Sequence, residues 1–207
     1  MNKPMNLKRA NADKDKNKEV KTQILNSAKR LFSKHGYNGT TVRQICDEAN
    51  VSLALVSYHF GGKENVFFEL FDPLRQTFMD SGFDLSDPKE DLIRFCKMFV
   101  IYRYEEQDLF NILQQELLMK SPRIEMLKDV FLPSWEQLRL ILLACREEGI
   151  IDCSAKDMAV NFVMGTLMFS LNNPFLNPSS ISHTPEEAAD LAVGYIMNGL
   201  HVKESSK

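Results

Sequence analysis

Apolar residues recur at helical intervals along most of this 207-residue chain. They seldom alternate as a half-buried strand requires. From Lys18 to His35, the residues Ile24, Leu25, Ala28, Leu31 and Phe32 share one face of a helix that Gly36 ends. Thr41 and Gln44 stand at capping-box spacing and open a second, short helix whose core face is Val42, Ile45 and Ala49. Asn50 tolerates a left-handed turn, and the Ser52 hydroxyl is placed to cap a third helix. Further helices are predicted over 63–80, 88–104, 108–119, 123–148, 155–172 and 185–202. The loop NNPFLNPSSISHTP separates the last two. Pro73 either kinks the helix over 63–80 or marks where it breaks in two. The expected fold is all-α, with roughly nine helices and no internal repeat.

The stretch NVSLALVSYHFGGK, residues 50–63, is apolar enough for a buried strand. No neighbouring segment offers a strand partner, and a lone strand leaves its backbone groups unpaired. Two short helices end to end behind a longer one make a helix-turn-helix arrangement instead. On a helical wheel Val51, Val56 and Phe60 form the buried face, Leu53 lies near the boundary, and Ala54, Leu55, Ser57 and Tyr58 point elsewhere. That second face suits water poorly and a DNA major groove well. Leu and Ala can meet thymine methyls, Ser a base edge or phosphate, and the Tyr hydroxyl a phosphate. The alternative is that Leu53 and Leu55 pack on the first helix. Lys63 and the amides behind Gly61 and Gly62 form a candidate anion site at the next helix start.

Charge adds direction to this pattern. Residues 1–71 hold 12 Lys/Arg against 7 Asp/Glu, while residues 72–207 hold 13 against 21. A basic end on an acidic body fits an anionic partner bound at that end. Residues 1–18, with Lys3, Lys8, Arg9, Lys14, Lys16 and Lys18, have the composition of a flexible basic arm. No apolar run approaches the roughly 18 to 20 residues of a membrane span, and no signal-peptide centre is present, so a cytoplasmic protein is expected. The four cysteines, at 46, 96, 145 and 153, include no CxxC pair and have no histidines clustered near them. No metal or cofactor is expected. No residue constellation supports an enzyme, since His59 has neither a serine nor a carboxylate spaced to form a triad with it.

TTVRQICDEANVSLALVSYHFGGKENVF resembles the N-terminal pattern of the tetracycline-repressor (TetR/AcrR) family of bacterial transcriptional regulators. Thr41, Ile45, Ala49, Val51, Ser52, Phe60 and Lys63 match, and Val56 stands in for leucine. The likeness runs from Lys21 to Leu70. Asn50 and Ala54 replace glycines, Ser57 stands where the family often has a phosphate-contacting tyrosine, and Tyr58 follows one place later. The resemblance places Thr41 and Arg43 near the DNA and gives His59 a phosphate contact. The candidate DNA-binding set is therefore Thr41, Arg43, Ser52, Leu53, Ala54, Leu55, Ser57, Tyr58, His59 and Lys63.

The same resemblance implies three parts: the arm at 1–18, a helix-turn-helix domain at 19–66, and a ligand-binding and dimerisation domain at 67–207. It implies a pocket for a small hydrophobic ligand, expected among Phe95, Phe99, Tyr102, Phe110, Leu113, Leu117, Phe131, Trp135, Met164 and Met168. Gln114, Glu116 and Asn161 are further polar handles. Phe162, Gly165, Thr166, Phe169, Leu191, Tyr195 and Ile196 are too apolar and small for a solvated chain end and are expected to pair with a second copy. The function expected is a homodimeric repressor, released from a palindromic operator in double-stranded DNA by its ligand. Alternatives are a C-terminal domain that binds a protein partner, or a redox sensor using Cys96, Cys145 or Cys153.

Overall fold

The computed structural model describes residues 4–152, 156–169 and 183–200, with backbone alone for 4–14, 156 and 157. Cys153 and most of the loop between the last two predicted helices lie outside the described residues. Among those described, every element is an α-helix: α1 Pro4–His35, α2 Val42–Ala49, α3 Leu53–Phe60, α4 Lys63–Glu69, α5 Asp72–Met79, α6 Pro88–Glu105, α7 Gln107–Leu118, α8 Ile124–Glu147, α9 Lys156–Phe169 and α10 Pro185–Gly199. None is long and apolar enough to cross a membrane.

Two differences from expectation have local causes. The helix expected over 63–80 is two helices, α4 and α5, the second of the two outcomes that Pro73 left open. Pro73 falls in the first turn of α5, where its missing N–H would have had no helical partner anyway. Residues 4–18, expected as a flexible arm, are the leading turns of α1. No glycine or second proline interrupts the chain from Met5 to His35, so nothing halts the helix.

The chain forms two compact units, Met1–Pro73 with Asn111–Ile124, and Leu74–Phe110 with Glu125–Lys207. In the first, α1 packs on α2 and α4, and α3 packs on both α2 and α4. Its core gathers Ile24, Ala28, Phe32, Ile45, Val56, Phe60, Val66 and Phe67, all buried. The Phe67 ring sits edge-on to Phe32, Tyr37 and Phe71 at 5.6, 5.2 and 5.5 Å between centroids. In the second unit, α6 packs on α10 and α9. Ala188, Ala189 and Ala192 are buried on α10, and such short side chains allow close approach of two helices. Arg103, buried on α6, donates to the Leu167 carbonyl of α9 at 2.7 Å, which gives its guanidinium a polar partner away from water.

Candidate nucleic-acid interface

Local chemistry sets the two short helices. At the start of α2 the capping box is complete. The Gln44 amide donates to Thr41 Oγ1 at 3.2 Å, and the Thr41 amide donates to Gln44 Oε1 at 2.8 Å. Asn50 ends α2 in the left-handed region (φ 52°), which its short polar side chain tolerates. Gly61 ends α3 at φ 75°, a conformation that costs a glycine least. An ion pair between Arg30 and Glu48 (2.8 Å) ties α2 to α1.

This framing gives α3 two unlike faces. Val56 and Phe60 point into the core, with Val56 fully buried. Ala54 and Ser57 are exposed, Leu53 is 57% exposed and Tyr58 74%. Positions i, i+1, i+4 and i+5 of a helix make one continuous stripe, so these four side chains share a solvent face. Leu55 and His59 are half-buried and flank the stripe.

The remaining predicted DNA-binding residues have varied surroundings. Arg43 stands exposed on α2. The Thr41 hydroxyl is exposed but engaged in its cap, donating also to Gln44 Oε1 at 2.9 Å. Ser52 occupies the N-cap of α3, yet its side chain makes no capping bond; only its carbonyl accepts, from the Leu55 amide at 3.0 Å. The expected hydroxyl cap is therefore absent, and that exposed hydroxyl is not spent on the helix. His59 Nε2 is shut off from solvent with no hydrogen-bond partner among the described residues, so this nitrogen is not presented to a phosphate. Lys63 departs furthest from expectation. Its Nζ donates to the carbonyls of Tyr37 (2.9 Å) and Thr40 (2.8 Å), using two of its three donors inside the protein.

Sequence reasoning missed the group around that lysine. Lys63 Nζ and Arg123 Cζ each lie 4.0 Å from the Tyr37 ring centroid. Glu116, buried, accepts two bonds from the Arg123 guanidinium, at 2.9 and 3.0 Å. Burial, and then the Arg123 charge, hold the Lys63 pKa below the ordinary lysine value. Burial, then Glu64, push the Tyr37 hydroxyl upward. Nearby, Gln115 donates to the Ser33 carbonyl at 2.8 Å, one of the last carbonyls of α1. Glu116 is thus no pocket handle. No local spacing links residues 37, 63, 116 and 123, so only folding reveals the group.

The predicted pocket residues are largely packed. Phe95, Phe99, Phe110, Phe131, Met164 and Met168 are buried, while Tyr102 and Trp135 are partly exposed. Phe110 meets Phe99 and Tyr102 edge-on at 5.3 and 6.3 Å, and Phe78 joins Phe95 and Phe99. Leu113 and Leu117 belong to the first unit. A cavity of about 270 Å³ in the second unit is lined by Phe78, Met79, Ser81, Gly82, Phe83, Pro133, Ser134 and Gln137. It shares none of the predicted residues but borders their ring cluster through Phe78. Burial pushes the thiols of Cys96 and Cys145 up to about 12.

Of the residues expected to meet a second copy, Phe162, Gly165, Phe169, Leu191 and Tyr195 are exposed on α9 and α10. Thr166 is half-buried and donates to the Phe162 carbonyl at 2.9 Å. Ile196 is fully buried and belongs to the core of its own unit, a correction that follows from its lying on the α10 face with Ala188, Ala189 and Ala192.

Comparison with known proteins agrees with this geometry. Residues 24–70 match the family model described as bacterial regulatory proteins, tetR family. The chain is 25% identical over 169 residues to the "Probable HTH-type transcriptional regulator YttP" of Bacillus subtilis (strain 168), covering 79% of this chain and 80% of that protein. It is 41% identical over 56 residues to the HTH-type transcriptional repressor AcnR of Corynebacterium glutamicum, covering 27% of this chain and 30% of that protein. The crystal structure of HlyIIR, a hemolysin II transcriptional regulator, superposes with a TM-score of 0.72 at 26% identity, covering 90% of this chain and 99% of that one.

Proposed function

We propose, from the premise that this chain belongs to the tetR family of bacterial regulatory proteins, that it is a dimeric repressor whose α3 reads a palindromic operator and whose second unit takes up a small, largely apolar effector that releases the DNA. The coarser statement, a DNA-binding transcriptional regulator, stands on the family itself.

The observation that carries the finer reading is the exposed stripe of Leu53, Ala54, Ser57 and Tyr58 on a short helix held from behind by Val56 and Phe60. A helix of this diameter fits the major groove, and this stripe offers methyl contacts, a hydroxyl for base edges and a phenol for phosphate. Arg43 adds an exposed guanidinium on α2, suited to guanine or phosphate. Lys16 and Lys18, exposed on α1, add sequence-independent attraction.

The exposed apolar residues of α9 and α10 support the dimer, because two copies sharing that face would bury it. The cavity beside Phe78 supports an effector without charge, since its lining contains no ionisable side chain. A cysteine-based switch finds no support in Cys96 and Cys145. Thiols at about 12 hold almost no thiolate at neutral pH, and the thiolate is the reactive form.

Footprinting on DNA upstream of the chain's own gene, in low salt, tests the proposal. We expect protection of a two-fold symmetric site with half-site centres about one helical turn (roughly 34 to 36 Å) apart or a multiple of it. Protection of DNA regardless of sequence would sink the operator reading.

A further inference from the structure

We infer that Tyr37, gripped by Lys63 and by the Glu116–Arg123 pair, is the post that positions both DNA-reading helices, and that Lys63 acts on DNA through this post rather than by touching phosphate. This rests on the assignment of α3 as the DNA reader.

The turn at residues 37–40 joins α1 to α2. Lys63 donates to the carbonyls at both of its ends, Tyr37 and Thr40. Thr40 is buried and secures the turn from the other side, its single hydroxyl hydrogen shared between the Gly36 carbonyl at 2.9 Å and the Leu31 carbonyl at 3.2 Å. The next residue, Thr41, is the N-cap of α2. Lys63 is itself the first residue of α4, separated from the end of α3 by only Gly61 and Gly62. One ammonium group therefore references the start of α2 and the end of α3 to the same point.

The post is held in turn by Arg123. Its guanidinium lies over the Tyr37 ring and is fixed in a two-pronged bond to Glu116. The Arg123 side chain is only 14% exposed and that of Glu116 5%, so neither spends its charge on solvent. Two cations against one ring repel each other, and the Glu116 carboxylate supplies the compensating charge. A guanidinium locked by two bonds is a stiffer brace than a solvated one. Glu116 lies on α7 and Arg123 immediately before α8, and both helices continue along the chain into the second unit. The brace on the reader thus comes from a stretch of chain that runs on at both ends into that unit, as α5 also does.

The test uses the full chain and a duplex recovered from random DNA by selection with the wild type, with affinity measured by fluorescence anisotropy over a salt series. Tyr37→Leu, Arg123→Ala and Lys63→Ala are each expected to weaken binding roughly tenfold, with the slope of log Kd against log salt unchanged. Tyr37→Phe keeps the ring and is expected to bind like the wild type. A lost phosphate contact would instead lower the slope by about one. That result for Lys63→Ala, or wild-type affinity in both Tyr37→Leu and Arg123→Ala, overturns the inference. Melting temperatures are recorded alongside. Should Arg123→Ala fail to fold, Arg123→Lys decides, because it keeps the charge and loses the two-pronged bond; wild-type affinity there counts against us. Failure of the wild type to select any DNA would overturn the assignment of α3 itself, a result visible before any variant is made.

Discussion

At the scale of single residues, Tyr58 is the clearest case of a side chain not explained by the fold. It is 74% exposed, on a helix only eight residues long, and rests against the His59 ring at 5.0 Å between centroids. Removing it leaves no cavity, so Tyr58→Ala should keep the wild-type melting temperature while weakening operator binding roughly tenfold. Tyr58→Phe separates the two ways it can act: retained affinity indicates ring packing, lost affinity a bond from the hydroxyl. Its exposure was legible from the wheel, because a helix of known caps assigns faces by angle alone. The use of Lys63 was not. A lysine after two glycines reads as a phosphate ligand until folding brings the carbonyls of residues 37 and 40 within reach of it. Ile196 repeats the lesson, since an apolar residue near others on α10 does not announce which of two packed faces it serves.

At the scale of elements, the α2–α3 pair depends on its ends more than on its length. Eight-residue helices are too short to persist by propensity, so caps and packing carry them. The Thr41–Gln44 box satisfies two backbone donors reciprocally. Thr41→Ala should therefore cost about 1 kcal/mol of stability, read from chemical denaturation, while Thr41→Ser retains most of it. A larger loss of DNA affinity than of stability would show that the hydroxyl also meets DNA. The box was visible in sequence because it is a contact across three residues. The absent cap at Ser52 was not, since identical chemistry at an N-cap does not fix a side-chain rotamer. The break between α4 and α5, left open by Pro73 alone, falls at Leu70 and Phe71, both buried.

At the scale of the whole molecule, the proposed dimer rests on the exposed apolar residues of α9 and α10. Tyr195 is 69% exposed, which makes Tyr195→Glu a mild change for one chain and a severe one for a shared interface. Sedimentation should show a dimer for the wild type and a monomer for this variant at micromolar concentration. Operator affinity should fall with it, because a palindrome is held by two readers. Phe162 is a poorer probe. Its ring lies against Gly199, with 2.6 Å to the place where a Cβ would stand, so a change there also alters a contact within the chain.

By itself the sequence determined what acts over short range: helical periods, the capping box, the left-handed Asn50, and the two faces of α3. Each is set within a few residues by backbone sterics or by the angle between successive side chains. Only the tertiary structure decided that Lys63 donates to the carbonyls of residues 37 and 40, that Glu116 pairs with Arg123, that Ile196 is core, and that a cavity lies beside Phe78. Those outcomes depend on which segments distant in sequence come within a few ångströms of each other, and no local pattern encodes that distance.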